Sequence, residues 1–280
     1  MLIDRLCEKN RPELYNHWDH WDDKQKELYL VLTAPIVIDK KKDKQKNGAC
    51  WCRKGKLIKS GQRYKEDLDE DMCDLAIEFY RALYGINILD VYGESINKDF
   101  VGDTMNNPTP FLVMYEKKRC KPAALKELKE QYHCLANFWI LPLEVGRKLG
   151  TLAKGRKTTY DDFVDRFLIA IMDEKNTAIF NQCYPEYCQF FNLEKKEENT
   201  HWKIFASAHY IDNVYMKKKN GSYDVVVYSK QDSHEEIIKT MLDLINERAI
   251  NIVESEKHKD LYLVFKSLCD SIPEEMLKTE

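Results

Sequence analysis

Apolar residues recur every three or four positions along several stretches of the chain, which is the spacing that builds one buried helical face. In 65–84, Leu68, Met72, Leu75, Ile77, Phe79 and Leu83 form such a stripe, and Gly85 follows as a natural C-terminal cap. The same period predicts a helix over 11–32 on Leu14, Trp18, Trp21, Leu28 and Leu32, ended by Pro35. A further helix over 123–140 uses Leu125, Leu128, Tyr132, Leu135 and Trp139, and Pro142 stops it. Thr158 with an acid three positions later opens a helix over 158–173, and Ser233 with Glu236 opens one over 233–253. Weaker helical signals cover 176–193, 200–215 and 256–270.

Strand-like patterns are short. Candidates lie near 50–60, 86–92, 110–115 and 222–229, the last following the Asn220-Gly221 turn. Residues 39–62, rich in Lys, Gly and Asn, read as a mobile loop or a small hairpin. The expectation is a mainly α, single-domain protein spanning 1–280 with a small β element, since no Pro-, Gly- or Ser-rich linker and no repeat divides the chain. Its core is expected to include Leu75, Phe79, Leu128, Trp139, Phe163, Phe167, Phe205, Ile238, Leu242 and Ile245.

Composition supports a globular chain: of 280 residues, 44% are hydrophobic and 11% aromatic, more than a disordered chain carries. The net charge of −3 removes the basic excess of a strong, sequence-independent nucleic-acid binder. The basic runs at 40–46, 154–157 and 217–219 therefore read as solvated surface. No signal-peptide pattern and no membrane-crossing apolar stretch is recognised, so a cytoplasmic location with no membrane partner is expected. The nine cysteines, an odd number, are then expected to be reduced. Cys50 and Cys52 flank Trp51, but no C-x-x-C pair or metal-finger histidine spacing accompanies them, so no metal site is expected and no cofactor is implied. Walker, dinucleotide, kinase, G-x-S-x-G and H-E-x-x-H motifs are all missing.

Chemistry concentrates in a few polar boxes. "FVGDTMNNPTP" (100–110) gathers Gly102, Asp103, Thr104 and Asn106 in a turn-like segment. In "YHCLANFWILP" (132–142), His133 and Asn137 stand four apart and would share a helical face beside the apolar stripe. Histidine exchanges protons near neutral pH and asparagine orients a substrate or water. Arg147 and Arg156 flank a glycine-containing loop, and Arg166 sits at the edge of an apolar helix. Guanidinium forks suit phosphate or carboxylate. Asp103, Asn106, His133 and Asn137 are thus the candidate catalytic set, and Arg147, Arg156 and Arg166 the candidate substrate-binding set. Each also has a plain structural reading, as a helix cap, a satisfied core histidine or an internal ion pair.

"GDTMN", then "YH..ANF...P", then "DRF", then "W..F....YI" in this order resembles a bacterial family of uncharacterised proteins, over roughly residues 98–253. Asn107 and Ala136 stand where that family has serine and glycine. The "H..ANF..LP" segment is also similar to the "GNLTLL" region of HNH nuclease domains in GmrSD-type restriction enzymes, without their upstream metal-binding box. The family has no established activity, and the polar boxes themselves carry the functional expectation: a defence- or toxin-associated enzyme of the hydrolase kind, acting on a nucleotide or nucleic acid through the Asp/Asn/His/Arg pocket. The alternative is a non-catalytic ligand-binding or sensor protein, with a protein partner or a second copy of itself as further company.

Overall fold

The computed structural model describes residues 17–38, 49–53, 56–59, 70–88, 100–142, 182, 184–193, 201–211, 216–219, 222–225 and 233–268. Helices dominate them, as the apolar period requires. A helical turn at 17–20 is followed by α1 (Asp23–Thr33). The expected single helix over 11–32 is therefore broken, and the reason is local. The Asp22 side chain accepts from the backbone N–H of Gln25, whose own side chain returns a bond to the Asp22 N–H, a reciprocal cap that starts a new helix.

Helix α2 (Asp74–Tyr84) ends at Gly85, whose φ of 71° is the left-handed conformation expected of a C-terminal cap. Two helices follow in the next segment, α3 (Thr109–Tyr115) and α4 (Ala123–Gln131). The first corrects the strand expected at 110–115. Pro110 lies in its first turn, where a missing N–H costs nothing, and its apolar run is too short for period alone to distinguish strand from helix. Later come α5 (Pro185–Phe190), α6 (His201–Ala208), α7 (His234–Glu254) and α8 (His258–Leu268). Helix α7 carries the expected Ser233–Glu236 reciprocal cap. Residues 158–173 lie outside the described residues.

Three small antiparallel sheets accompany the helices. β1 (Ile36–Ile38), β2 (Ala49–Arg53) and β3 (Lys56–Lys59) pair in that order, which gives the hairpin expected within 39–62 and adds a third strand to it. β6 (Met216–Lys219) pairs with β7 (Ser222–Val225) across the Asn220-Gly221 signal. The pair that matters most is β4 (Phe100–Thr104) with β5 (Phe138–Pro142), in the register Gly102↔Ile140, Asp103↔Trp139, Thr104↔Phe138.

β5 corrects the helix expected over 123–140. Helix α4 stops at Gln131, Cys134 is extended at φ −126° and ψ 157°, and a single 3-10 turn (Leu135–Asn137) leads into the strand. Phe138, Trp139, Ile140, Leu141 and Pro142 are all buried, so both strand faces are apolar. A continuous apolar run of that kind fits a buried helix and a doubly covered strand equally well. The aromatic and β-branched side chains, with β4 available as a hydrogen-bonding partner, decide for the strand.

One contiguous core joins the helices with β1, β4 and β5. Helix α7 packs on α1 and α4, and α8 on α1 and α2. Leu75, Phe79, Leu128, Trp139, Phe205, Ile238, Leu242 and Ile245 are buried as expected; Phe163 and Phe167 lie outside the described residues.

Candidate functional site

β4 alternates in burial. Phe100, Gly102 and Thr104 face inward, and Val101 and Asp103 face the half-exposed side. The inward Gly102 permits a close approach: a Cβ there would lie 2.5 Å from the Asp71 carbonyl oxygen and from the Tyr80 hydroxyl. No side chain fits in that space, so the 3-10 turn Glu70–Met72 can sit directly against β4. Tyr80 donates to the Asp71 carbonyl at 2.9 Å, and the Gly102 N–H donates to Met72 Sδ at 3.2 Å. The turn brings two carboxylates, Glu70 and Asp71, to the edge where Asp103 emerges.

The two polar boxes converge. The Met105 N–H donates to the Asn137 carbonyl at 2.7 Å. Asn137 Oδ1 accepts from the Asn106 N–H at 3.0 Å and from Asn106 Nδ2 at 3.2 Å. Asn137 Nδ2 donates to the Asn106 carbonyl at 2.9 Å and to the Tyr132 carbonyl at 2.7 Å. Every donor and acceptor site of the Asn137 amide is thus used within the protein. Asn106 is 1% exposed and Asn137 fully buried, so these bonds close the loop and face no ligand.

His133 ends elsewhere. Because residues 133–137 are not a helix, His133 and Asn137 do not share a helical face. The His133 carbonyl accepts from the Ile36 N–H at 2.7 Å, anchoring the backbone to β1. Its ring leans on Tyr132, with centroids 3.8 Å apart, and its Nδ1 lies 3.5 Å from a Glu70 carboxylate oxygen. The His133 and Glu70 side chains are 27% and 25% exposed, at the rim and not in the core. Asp103 accepts from the Thr104 N–H at 2.7 Å.

The rim carries a negative field. Burial, and then Glu70 and Asp71, raise the Tyr132 phenol above its ordinary value. Burial raises the Tyr80 phenol well above it, with Asp71 and Asp103 among the further causes. Cys134 offers no nucleophile near neutral pH, since burial pushes its thiol up to about 12. No group of histidine, cysteine and carboxylate side chains among the described residues is arranged to hold a metal ion. Chemically, the rim can move a proton through His133 and stabilise positive charge. Arg147, Arg156 and Arg166 lie outside the described residues.

Sequence reasoning missed two participants. Glu70 belongs to the acidic run "EDLDED", where nothing marks one carboxylate over another. Arg248 was legible in principle, because it falls three residues after Ile245 and four before Ile252, on the buried stripe of α7. It is 1% exposed and donates to the carbonyls of His209 (2.8 Å), Ala136 (2.7 Å) and Phe138 (2.8 Å) and to the Tyr84 hydroxyl (3.0 Å). Tyr84 in turn lies 2.8 Å from His209 Nδ1. Burial and then Arg248 hold the His209 pKa well below its usual value, so it stays neutral. Among the described residues the His209 Nε2 has no hydrogen-bond partner, and aromatic rings surround the imidazole, Phe205 at 4.3 Å between centroids.

Compared with family models, curated proteins and solved structures, the chain matches none.

Proposed function

We propose that the protein is an enzyme that transfers a proton at the His133–Glu70 pair, acting on a phosphate-bearing substrate of the nucleotide or nucleic-acid class. The observation that carries this reading is the pair itself: a histidine nitrogen 3.5 Å from a carboxylate, both side chains about a quarter exposed. Glu70 orients the His133 ring through Nδ1, and the ring is the group that exchanges a proton with substrate. Asp103 flanks the same edge and suits the polar or cationic end of the substrate. Phosphate does not fit directly against Glu70, Asp71 and Asp103, since like charges repel. In this reading it goes to the arginines singled out in the sequence, Arg147, Arg156 and Arg166. The work is that of a hydrolase in a bacterial defence or toxin setting.

A second reading has its own support. Asn106 and Asn137, half of the expected catalytic set, bond each other and leave nothing for a substrate. A non-catalytic sensor needs only the remaining rim to hold its ligand.

One experiment separates the two. The purified protein is incubated with nucleoside triphosphates and with single-stranded RNA and DNA, and both turnover and calorimetric binding are followed. Loss of general acid–base catalysis is worth about 10²- to 10⁴-fold, so His133→Ala is expected to lower turnover by at least about a hundredfold with binding retained. Its melting temperature should stay close to that of the unaltered protein, because the side chain is at the rim. Binding without turnover selects the sensor. Neither binding nor turnover with any of these substrates, or turnover indifferent to His133→Ala, removes the proposal.

A further inference from the structure

A different edge of the molecule, the segment from Val113 to Lys121, combines two features that rarely stay together in water without use. Helix α3 is fixed to the body on one side only. Phe111 is buried, and its ring meets His234 edge-on at 5.5 Å. Tyr115, one turn on, places its hydroxyl 2.6 Å from His234 Nδ1. At about 100° per residue, Val113 lies roughly 200° round the helix from Phe111 and points away from the body. It is 69% exposed, and Met114 beside it is 45% exposed. The chain then runs directly into Glu116, Lys117, Lys118, Arg119, Cys120 and Lys121, all exposed. Four cations against one acid contrast with a chain whose net charge is −3. Lys118 Nζ lies 4.7 Å over the Tyr115 ring, which holds the start of the basic run against the anchored end of the helix.

We propose that this edge docks on an anionic lipid surface. The charge selects an anionic partner, and the pair of exposed aliphatic side chains selects among anionic partners. A nucleic acid would engage the lysines and the arginine, but Val113 and Met114 have no ring to stack on a base and would stay in water. At a bilayer both halves are used: the cations meet the headgroups, and the aliphatic tips enter the boundary between headgroups and acyl chains. This is attachment to a surface. No helix among the described residues is long and apolar enough to cross a membrane, and docking needs none. The site is separate from the His133–Glu70 rim, so the proposal stands or falls independently of the enzymatic reading.

The test is sedimentation of the full chain with phosphatidylcholine vesicles, with and without phosphatidylserine. Binding is expected only when phosphatidylserine is present, and it should weaken as salt is raised. Each basic residue near such a surface is worth about a fivefold change in affinity, so Lys117→Glu with Lys118→Glu should lower it roughly twentyfold or more. Val113→Ser with Met114→Ser, which removes the aliphatic tips without changing the charge, should lower it about tenfold, and since both residues are exposed, the circular dichroism and melting temperature should not move. Equal affinity for both vesicle types overturns the proposal. So does undiminished binding by the double serine variant, which would mean that the cations act alone and the aliphatic pair plays no part.

Discussion

The interior of the molecule and its rim use the same kinds of residue for opposite ends. The Asn137 amide and the Arg248 guanidinium donate to backbone carbonyls and to the Tyr84 hydroxyl, and both side chains are almost fully buried. Around His133 and Glu70, the partner is another titratable side chain at 3.5 Å and water reaches both. A buried amide or guanidinium whose bonds are all made within the chain is committed to the fold, because a vacated partner costs about 1–3 kcal/mol. An acid–base pair at the rim, about a quarter exposed, commits less to stability. Residue type alone does not separate the two cases. Burial does: the amide and the guanidinium are enclosed, and the histidine–carboxylate pair lies at the rim.

That contrast can be broken at its strongest point by replacing the buried cation. Arg248→Met strands the carbonyls of Ala136, Phe138 and His209 and the hydroxyl of Tyr84, and is expected to cost about 4 kcal/mol or more. Denaturant titration measures it, and a loss below about 1 kcal/mol would show that the network is not what joins α6, β5 and α7. Next comes Asn137→Ala, expected to cost about 2–3 kcal/mol by leaving the Asn106 N–H and two carbonyls unpaired. The isosteric Asn137→Asp sharpens the point, since it keeps the acceptor while setting an oxygen against the carbonyls of Asn106 and Tyr132. It should be at least as destabilising as the alanine. If either Asn137 variant keeps full stability and loses ligand binding, the amide belongs to the rim and the division drawn above is wrong.

The smallest effect is read from pH. The folded His209 pKa lies well below the unfolded value of 6.5, so below that pH the unfolded chain binds a proton that the folded chain refuses. The stabilisation is complete above about pH 6.5 and is lost as pH falls toward the folded pKa, at a slope of about 1.4 kcal/mol per pH unit. Stability curves of the unaltered protein and His209→Gln between neutral and mildly acid pH should converge. Parallel curves would place the acid sensitivity in another group.

How far these regions could be read in advance follows from their period and their partners. Helix α7 declared itself through its stripe and its Ser233–Glu236 cap, both of which lie within one stretch of chain. The end of α2 at Gly85 was equally local. β5 and α3 were assigned to the wrong class because their apolar runs have no polar interruptions to show a period. Only the neighbour, β4 for one and His234 for the other, distinguishes the possibilities. Neither "GDTMN" nor "YHCLAN" by itself records which polar groups of the two meet. Asn106 took Asn137, and His133 took Glu70.

By itself, then, the sequence determined the mainly helical class, most helix boundaries marked by caps, and the core residues that a 3.6-residue period exposes, because these depend on contacts within a few turns of chain. Which polar residues became scaffold and which stayed at the rim was decided only by tertiary structure. That choice turns on partners about 30 to 110 positions away, such as Asn137 for Asn106 or the Ala136 carbonyl for Arg248, and a hydrogen bond saturates when the chain brings such a partner within about 3 Å. No local pattern records that distance.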